Sequence, residues 1–415
     1  MKITIDNLGV VRHIEFDTQK PLSLFCGPNG TGKTYVAYVL YSIFSIDQET
    51  FQLNKLRLNL YYMMQQKDVA SLPKSINLNQ TKDLVEMIST NHLGAVFGIS
   101  DELVKTRFAN YKINVSFDDS ECENYKQKEC IFKFDESVFS SICPRAIMLT
   151  VERNSIYTFK TELSLSRNEL VDKLMALKDK SNANLSEILT ASSRRYPTAI
   201  SDGLKIANDL ENIKKIKGDF FEFATNLEQS LLRGRVDISQ NGDVEFIVGE
   251  NINLPIQMSS SIVKTLSSLI IYLKYIAKKG DTLIIDEPEM NLHPDNQILL
   301  ARIFAQMVNM GIKLVISTHS DYIIREFNNL IMLSGVSDDD VQSFSKMGYD
   351  KSMMLKKEDV AAYMFNFDKD NLVTVENLDV TETGFEVSTI DAAINSINEA
   401  SEELYYSLKS KQYEN

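Results

Sequence analysis

Gly27, Pro28, Asn29, Gly30, Thr31, Gly32, Lys33 and Thr34 follow the spacing G-x-x-x-x-G-K-[ST]. Gly27, Gly30 and Gly32 allow backbone angles closed to residues with a Cβ, so successive N–H groups can turn inward on phosphate oxygens. Lys33 supplies a cation for the β and γ phosphates of a nucleoside triphosphate. The Thr34 hydroxyl is a hard oxygen ligand of the kind Mg²⁺ takes.

Two further segments carry groups that such a loop would need. Leu283-Ile284-Ile285-Asp286-Glu287 is an apolar run ending in two carboxylates. Asp286 is placed to hold Mg²⁺, directly or through water, and Glu287 to orient or deprotonate an attacking water. Alone, this pattern is a common strand end; the loop at 27–34 gives it meaning. Lys313-Leu314-Val315-Ile316-Ser317-Thr318-His319 is a second apolar run, and it ends in an imidazole that could meet a γ phosphate.

The surrounding pattern predicts the elements that position these groups. Residues 1–26 alternate apolar and polar positions, as a strand meander does. Tyr35–Phe44 is apolar and long enough for a buried helix. Further strands are expected at Tyr111–Phe117, Ile131–Phe134 and Ala146–Val151. Residues 235–256 return to strand alternation. A helix over Ser260–Lys279, a strand at Thr282–Asp286, a helix near Pro294–Met310 and a strand at Lys313–Ser317 then alternate. That order indicates a parallel sheet with crossover helices.

Residues 160–234 read as helix. Leu170, Leu174 and Leu177 recur at helical spacing, as do Ile213, Ile216, Phe220, Phe223, Leu227 and Leu231, with Pro197 and Gly203 breaking the run. The expected organisation has four parts. Residues 1–159 form the first part of an α/β head with a mixed sheet and flanking helices. Residues 160–234 form an inserted helical hairpin or bundle. Residues 235–330 complete the head, and 331–415 form a tail closing in an amphipathic helix over Ile390–Leu408.

The charge balance is 44 basic against 57 acidic residues, a net −13. A protein that coats DNA is usually basic, so nucleic-acid contact would need a local patch. Arg194-Arg195, Lys214-Lys215-Lys217 and Arg233 with Arg235 are the clusters available; a solvated helix face is the commoner meaning of such groups. Cys26, Cys122, Cys130 and Cys143 lack metal-binding spacing and read as reduced thiols. No secretion signal and no apolar run near the ~18 residues needed to span a bilayer is evident, so a cytoplasmic location is expected.

Gly27–Thr34, Leu283–Pro294 (LIIDEPEMNLHP) and Ile316–Ser320 (ISTHS) stand in the order found in the ATP-binding-cassette type of ATPase head of SMC, Rad50, RecF and OLD proteins. The sequence resembles that family over about residues 1–45 and 235–330. The wording DEPE-x-NLHP resembles the OLD-like branch and its anti-phage relatives.

The resemblance implies ATP and Mg²⁺ as ligands, with Thr34 and Asp286 on the metal and Glu287 and His319 in catalysis. It also implies a homodimer or higher oligomer in which each ATP is sandwiched between two subunits. The opposite subunit would contribute a signature loop, here Ser259, Ser260 and Ser261. The family form is Ser followed by Gly, and Ser261 replaces the Gly. These serines either face a γ phosphate or simply cap a helix. The family's Gln-bearing loop has three candidates, Gln52, Gln65 and Gln66. Glu152-Arg153 stands where relatives often carry an Arg near the nucleotide; a surface ion pair is the alternative.

Asp338-Asp339-Asp340 reads as a solvated turn rather than a nuclease site, since too few residues follow for a Toprim domain. The resemblance therefore implies a stand-alone ATPase subunit of an anti-phage system such as PARIS or Septu, acting on a separately encoded effector. The alternative is a RecF- or SMC-like repair ATPase bound to duplex DNA. A transporter's ATPase subunit fits less well, because no coupling to a membrane partner is visible.

Overall fold

The computed structural model describes residues 1–46, 86–87, 90, 92–116, 145–160, 196–249 and 252–413. The strand expected at 131–134, the leucines at 170, 174 and 177, the three Gln candidates, Arg194-Arg195 and the cysteines at 122, 130 and 143 lie outside these residues.

The main sheet has nine strands. In chain order they are β1 Lys2–Leu8, β2 Val11–Asp17, β3 Leu22–Cys26, β4 Lys112–Ser116, β5 Ala146–Leu149, β9 Thr282–Asp286, β10 Lys313–Thr318, β11 Val360–Phe367 and β12 Val373–Leu378. Between β5 and β9 a separate antiparallel sheet is built from β6 Arg235–Ile238, β7 Val244–Val248 and β8 Ile252–Pro255. The main order is β4-β1-β2-β12-β11-β3-β10-β9-β5. Strands β11, β3, β10, β9 and β5 run parallel, and β4, β1 and β2 form an antiparallel wing joined through β12.

The parallel block explains its own sequence. The inner strands of this block are covered on both faces, so they read as continuous apolar rather than alternating. Every residue of LSLFC and TLIID is buried. One face packs Leu22, Leu24, Leu283, Ile285, Leu314 and Ile316 into one core; the other turns Phe25, Ile284 and Val315 into a second.

The larger helices are α1 Lys33–Phe44, α2 Thr198–Asn208, α3 Phe221–Leu232, α4 Ser261–Ile271, α5 Pro294–Asn309, α6 Asp321–Ser334 and α7 Ser388–Tyr413. Helix α1 lies on the second face, while α3, α4, α5 and α6 cover the first. Among the described residues no helix is long and apolar enough to cross a membrane.

Several expectations are corrected. The segment after residue 330 was expected as a tail, but it returns to the sheet: β11 inserts beside β3, and β12 bridges to the wing. Val360-Ala361-Ala362-Tyr363-Met364-Phe365 is a buried central strand with no alternation, and an apolar run of that length does not distinguish strand from helix.

The helical spacing over 213–231 does not make one helix. The chain turns between Ile213 and Phe221, where Gly218 N–H donates to the Lys274 carbonyl at 2.7 Å. A Cβ on Gly218 would lie 3.2–3.3 Å from the carbonyl oxygens of Leu273, Lys274 and Ala277, so glycine is what permits the approach. The Leu273 and Lys274 carbonyls belong to a π-helical turn, Tyr272–Ile276, that ends α4 earlier than its pattern suggested. Gly203 does not break a helix either; it lies inside α2, close against Ile156.

The acidic run at 338–340 opens a short helix, Asp338–Val341, capped by the Ser337 hydroxyl.

Candidate functional site

Parallel pairing brings the chemistry-bearing ends together. Thr318 lies beside Cys26, and Ser317 beside Asp286. The C-terminal ends of β3, β9 and β10 therefore form one edge, the position where open α/β sheets bind ligands. From that edge emerge the loop at 27–34, the Asp286-Glu287 pair and His319.

The loop has the backbone its sequence predicts. Gly27, Gly30 and Gly32 have φ of 136°, 79° and 84°. A Cβ at Gly27 would sit 2.3 Å from the Phe365 carbonyl oxygen, and one at Gly32 2.7 Å from Val11. Neighbouring strands thus press on the loop and leave no room for side chains there. Thr31 folds its hydroxyl back to the Pro28 carbonyl at 2.8 Å. Lys33 curls over the loop and donates to Gly27 O at 2.9 Å and Pro28 O at 2.7 Å. It is 5% exposed, and burial pulls its ammonium down to about 8 against the attraction of nearby carboxylates. An anion over the loop would restore that charge. Pro28 leads into a turn at Asn29 and Gly30, and α1 begins at Lys33, so its N-terminus faces the same space.

Asp286 is 1% exposed. Its Oδ2 accepts from the Thr34 hydroxyl at 2.9 Å, and its Oδ1 from the Ser317 hydroxyl. Burial still holds its carboxyl above the ordinary range. Thr34 and Asp286 thus present two hard oxygens within hydrogen-bond distance beside a phosphate cradle. This donor set fits Mg²⁺, which keeps several waters and takes one or two protein ligands. Ser317 was missed as a functional position; its place opposite Asp286 follows from strand register, which the linear sequence does not show.

Glu287 adopts a left-handed backbone, φ 47°, unusual for a residue with a side chain. This turns its carboxylate toward His319: Oε1 lies 3.2 Å from Nε2, and both side chains are partly exposed. Burial and the neighbouring Lys33 push the imidazole down, so it is neutral at neutral pH. The ring also reaches the Gly27 backbone. A neutral imidazole has one N–H to give, so only the protonated ring can donate to both Glu287 and Gly27.

Two residues support this pair. Glu289 Oε1 accepts from the Thr318 hydroxyl at 2.9 Å and from the His319 N–H at 2.6 Å, fixing the backbone that carries the imidazole. Glu289 stands in the motif quoted above, yet it had no assigned role there. Arg153 is 3% exposed and is no surface ion pair. Its guanidinium donates to the backbone carbonyls of Asp286 and Glu287, both at 2.6 Å.

The serines of the signature segment divide. Ser259 is buried, with its hydroxyl 3.3 Å from the Pro255 carbonyl. Ser260 occupies the N-cap position of α4, but its side chain makes no capping hydrogen bond. Ser260 and Ser261 are exposed beside Met258, itself 70% exposed. No contact brings Ser259, Ser260 or Ser261 to the phosphate loop of the same chain among the described residues.

The basic cluster of 214–217 is engaged locally. Lys214 donates to the Ser239 carbonyl at 2.5 Å, Lys215 to Asn212 at 2.8 Å, and Lys217 lies over the Phe221 ring. Arg235 pairs with Asp237. Cys26 is fully buried, and its thiol is pushed up to about 12 by burial, as suits an inert core residue.

Residues 1–324 match the model of a family described as the AAA ATPase domain. No curated protein matches the chain. Among solved structures, similarity is found to an SMC head bound to the C-winged helix domain of ScpA, at 13% identity and a TM-score of 0.39, over 91% of this chain and 98% of that one. A second is the Smc head domain with an extended coiled coil bound to the C-terminal domain of ScpA, derived from Pyrococcus furiosus. It has 12% identity and a TM-score of 0.37, over 96% of this chain and 98% of that one.

Proposed function

The chain belongs to the AAA ATPase domain family, and on that premise we propose that it binds and hydrolyses ATP with Mg²⁺ in sites shared between two copies. The observation that carries this reading is the convergence of Lys33, Thr34, Asp286, Glu287 and His319 on one sheet edge. Mg²⁺ bound there would neutralise charge developing between the β and γ phosphates. Gly27–Thr34 orients the triphosphate through backbone N–H groups, and Lys33 adds its ammonium. Thr34 and Asp286 present the metal ligands. Glu287 accepts the proton of the attacking water. His319, neutral and braced by Glu289, holds the Glu287 carboxylate in place.

Sharing is supported by Ser260 and Ser261. Their hydroxyls and the start of α4 face outward beside exposed Met258, where a second copy's γ phosphate can reach them. An isologous dimer repeats each half-site twice.

The cellular role we infer is regulatory: an ATPase subunit of a bacterial anti-phage system that controls a separately encoded effector through ATP-dependent oligomerisation. The DEPE-x-NLHP wording supports it. The repair-ATPase reading is retained as the competitor.

Phosphate release from MgATP by the purified chain tests the biochemical core. Turnover should be present and should fall by about 10²–10⁴ in Glu287→Gln while nucleotide stays bound, the usual cost of losing a general base. Unchanged turnover in that variant removes Glu287 from catalysis. Purification with the neighbouring gene product, with and without ATP, tests the effector; salt-sensitive DNA binding instead would favour the competitor.

A further inference from the structure

Arg153 is a buried cation with no carboxylate hydrogen-bonded to it among the described residues, and its donors go to backbone. One guanidinium nitrogen donates to Thr150 O at 3.0 Å and to Asp286 O at 2.6 Å; the other donates to Glu287 O at 2.6 Å. Burial lowers its pKa to about 10, against the pull of Asp286, Glu289, Glu287 and Glu152, so it remains charged at neutral pH.

The two carbonyls it grips flank the left-handed Cα of Glu287. A side-chain-bearing residue keeps such a backbone only where its surroundings over-determine it. The peptide plane before Glu287 is held at both ends: its carbonyl by Arg153, and its N–H by the Ser317 carbonyl at 3.1 Å. The plane after Glu287 leads into Pro288, which has no N–H. Its only handle is the Glu287 carbonyl, which accepts from Arg153 and from the Met290 N–H at 3.2 Å. Arg153 therefore fixes both torsions that aim the Glu287 carboxylate.

We propose that Arg153 is a positioning residue: bridging the Asp286 and Glu287 carbonyls, it locks the left-handed turn that sets the Glu287 carboxylate against His319 for the attack on ATP. The inference rests on the ATPase reading above. Arg153 itself touches no substrate; it acts through Glu287. It also opens the helix over 153–160, so the clamp is mounted on the element that follows β5 and not on the catalytic strand itself. Lysine cannot replace it fully, because a single ammonium lacks the planar fork that spans two carbonyls.

The test uses the full chain with Arg153→Gln, Arg153→Lys, Glu287→Gln and the double variant Arg153→Gln/Glu287→Gln. ATP cleavage is followed by phosphate release and nucleotide affinity by calorimetry. Loss of charge-assisted hydrogen bonds should lower kcat about 10–100-fold in Arg153→Gln, with KM and nucleotide affinity within about threefold. Arg153→Lys should recover part of the loss. In the Glu287→Gln background, removing Arg153 should cost less than about twofold, because residues acting as a unit are not additive. Equal losses in both backgrounds, or a loss confined to KM, would overturn the proposal.

Hydrogen exchange supplies a readout independent of turnover. In Arg153→Lys, which keeps charge and most of the volume, the Glu287 amide should exchange about tenfold faster while Thr282–Ile285 keeps its protection. Unchanged exchange at Glu287 overturns the clamp. A wild-type chain that does not cleave ATP would overturn the ATPase reading, and the exchange measurement would still decide whether Arg153 holds the turn.

Discussion

The Thr34 hydroxyl donates to Asp286 Oδ2 at 2.9 Å across 252 residues of sequence. Two motifs, the second of them weak alone, therefore face one another through a single hydrogen bond at the C-terminal edge of the sheet. The Ser317 hydroxyl holds the other oxygen of the same carboxylate. A metal that takes Thr34 and Asp286 would replace their mutual contact while Ser317 keeps Asp286 aimed.

Asp286→Asn should preserve the fold, since the amide oxygen can accept from one of the Thr34 and Ser317 hydroxyls and the amide NH₂ can donate to the other. It removes the charge that Mg²⁺ needs. Nucleotide should bind with little dependence on Mg²⁺, and turnover should fall to background. An Mg²⁺ titration that is indistinguishable from wild type would take Asp286 out of the metal site.

Nucleotide affinity should depend on pH through Lys33. In the free protein its ammonium is half lost at about pH 8, while a bound triphosphate favours the charged form. Affinity should be steady below that pH and fall by up to about tenfold per pH unit above it. Binding at pH 8 should take up about half a proton per site. Calorimetry in buffers of different ionisation enthalpy measures this directly, and zero proton uptake would contradict the lowered value.

Gly27→Ala should cost more than Gly30→Ala. A Cβ at Gly27 would approach the Phe365 carbonyl oxygen at 2.3 Å, whereas at Gly30 the nearest atom is a Phe367 ring carbon at 3.9 Å. Both glycines have positive φ, so both substitutions are strained. The difference reports β11 pressing on the loop. Equal thermal stabilities would argue against that contact.

Mixing Lys33→Ala chains with Ser260→Glu chains should restore part of the activity that each lacks. Some mixed dimers would hold one site with two wild-type halves and another with neither. Activity that stays at zero in verified mixed dimers would sink the shared-site model.

Lys274→Met should destabilise the chain by about 3–5 kcal/mol, the usual cost of stranding a buried charge. Lys274 and Glu228 pair at 2.7 Å with both side chains almost fully buried. Glu228 also accepts from Val236 N–H, and Lys274 donates to Val236 O. The double variant Glu228→Leu/Lys274→Met should therefore recover only part, because two backbone groups lose partners. Chemical denaturation measures all three; full recovery would show that Val236 finds other partners.

The sequence alone determined which residue types could carry the proposed chemistry, and much of the local structure. The glycine spacing of 27–34 needs no tertiary contact to be read, because positive φ is a property of single residues. The buried strands at 282–286 and 313–318 announced themselves as continuous apolar runs. Tertiary structure decided what depends on which strand lies beside which. Parallel register placed Ser317 opposite Asp286, and nothing along the chain signals that pairing. The insertion of β11 beside β3 turned an expected tail into the wall of the phosphate loop. The role of Gly218 emerged only with the π-helical turn it packs against. Arg153 reads from sequence as one more charge at a strand end. Its meaning lies in two backbone carbonyls more than a hundred residues away, and hydrogen bonds to backbone leave no mark on residue type.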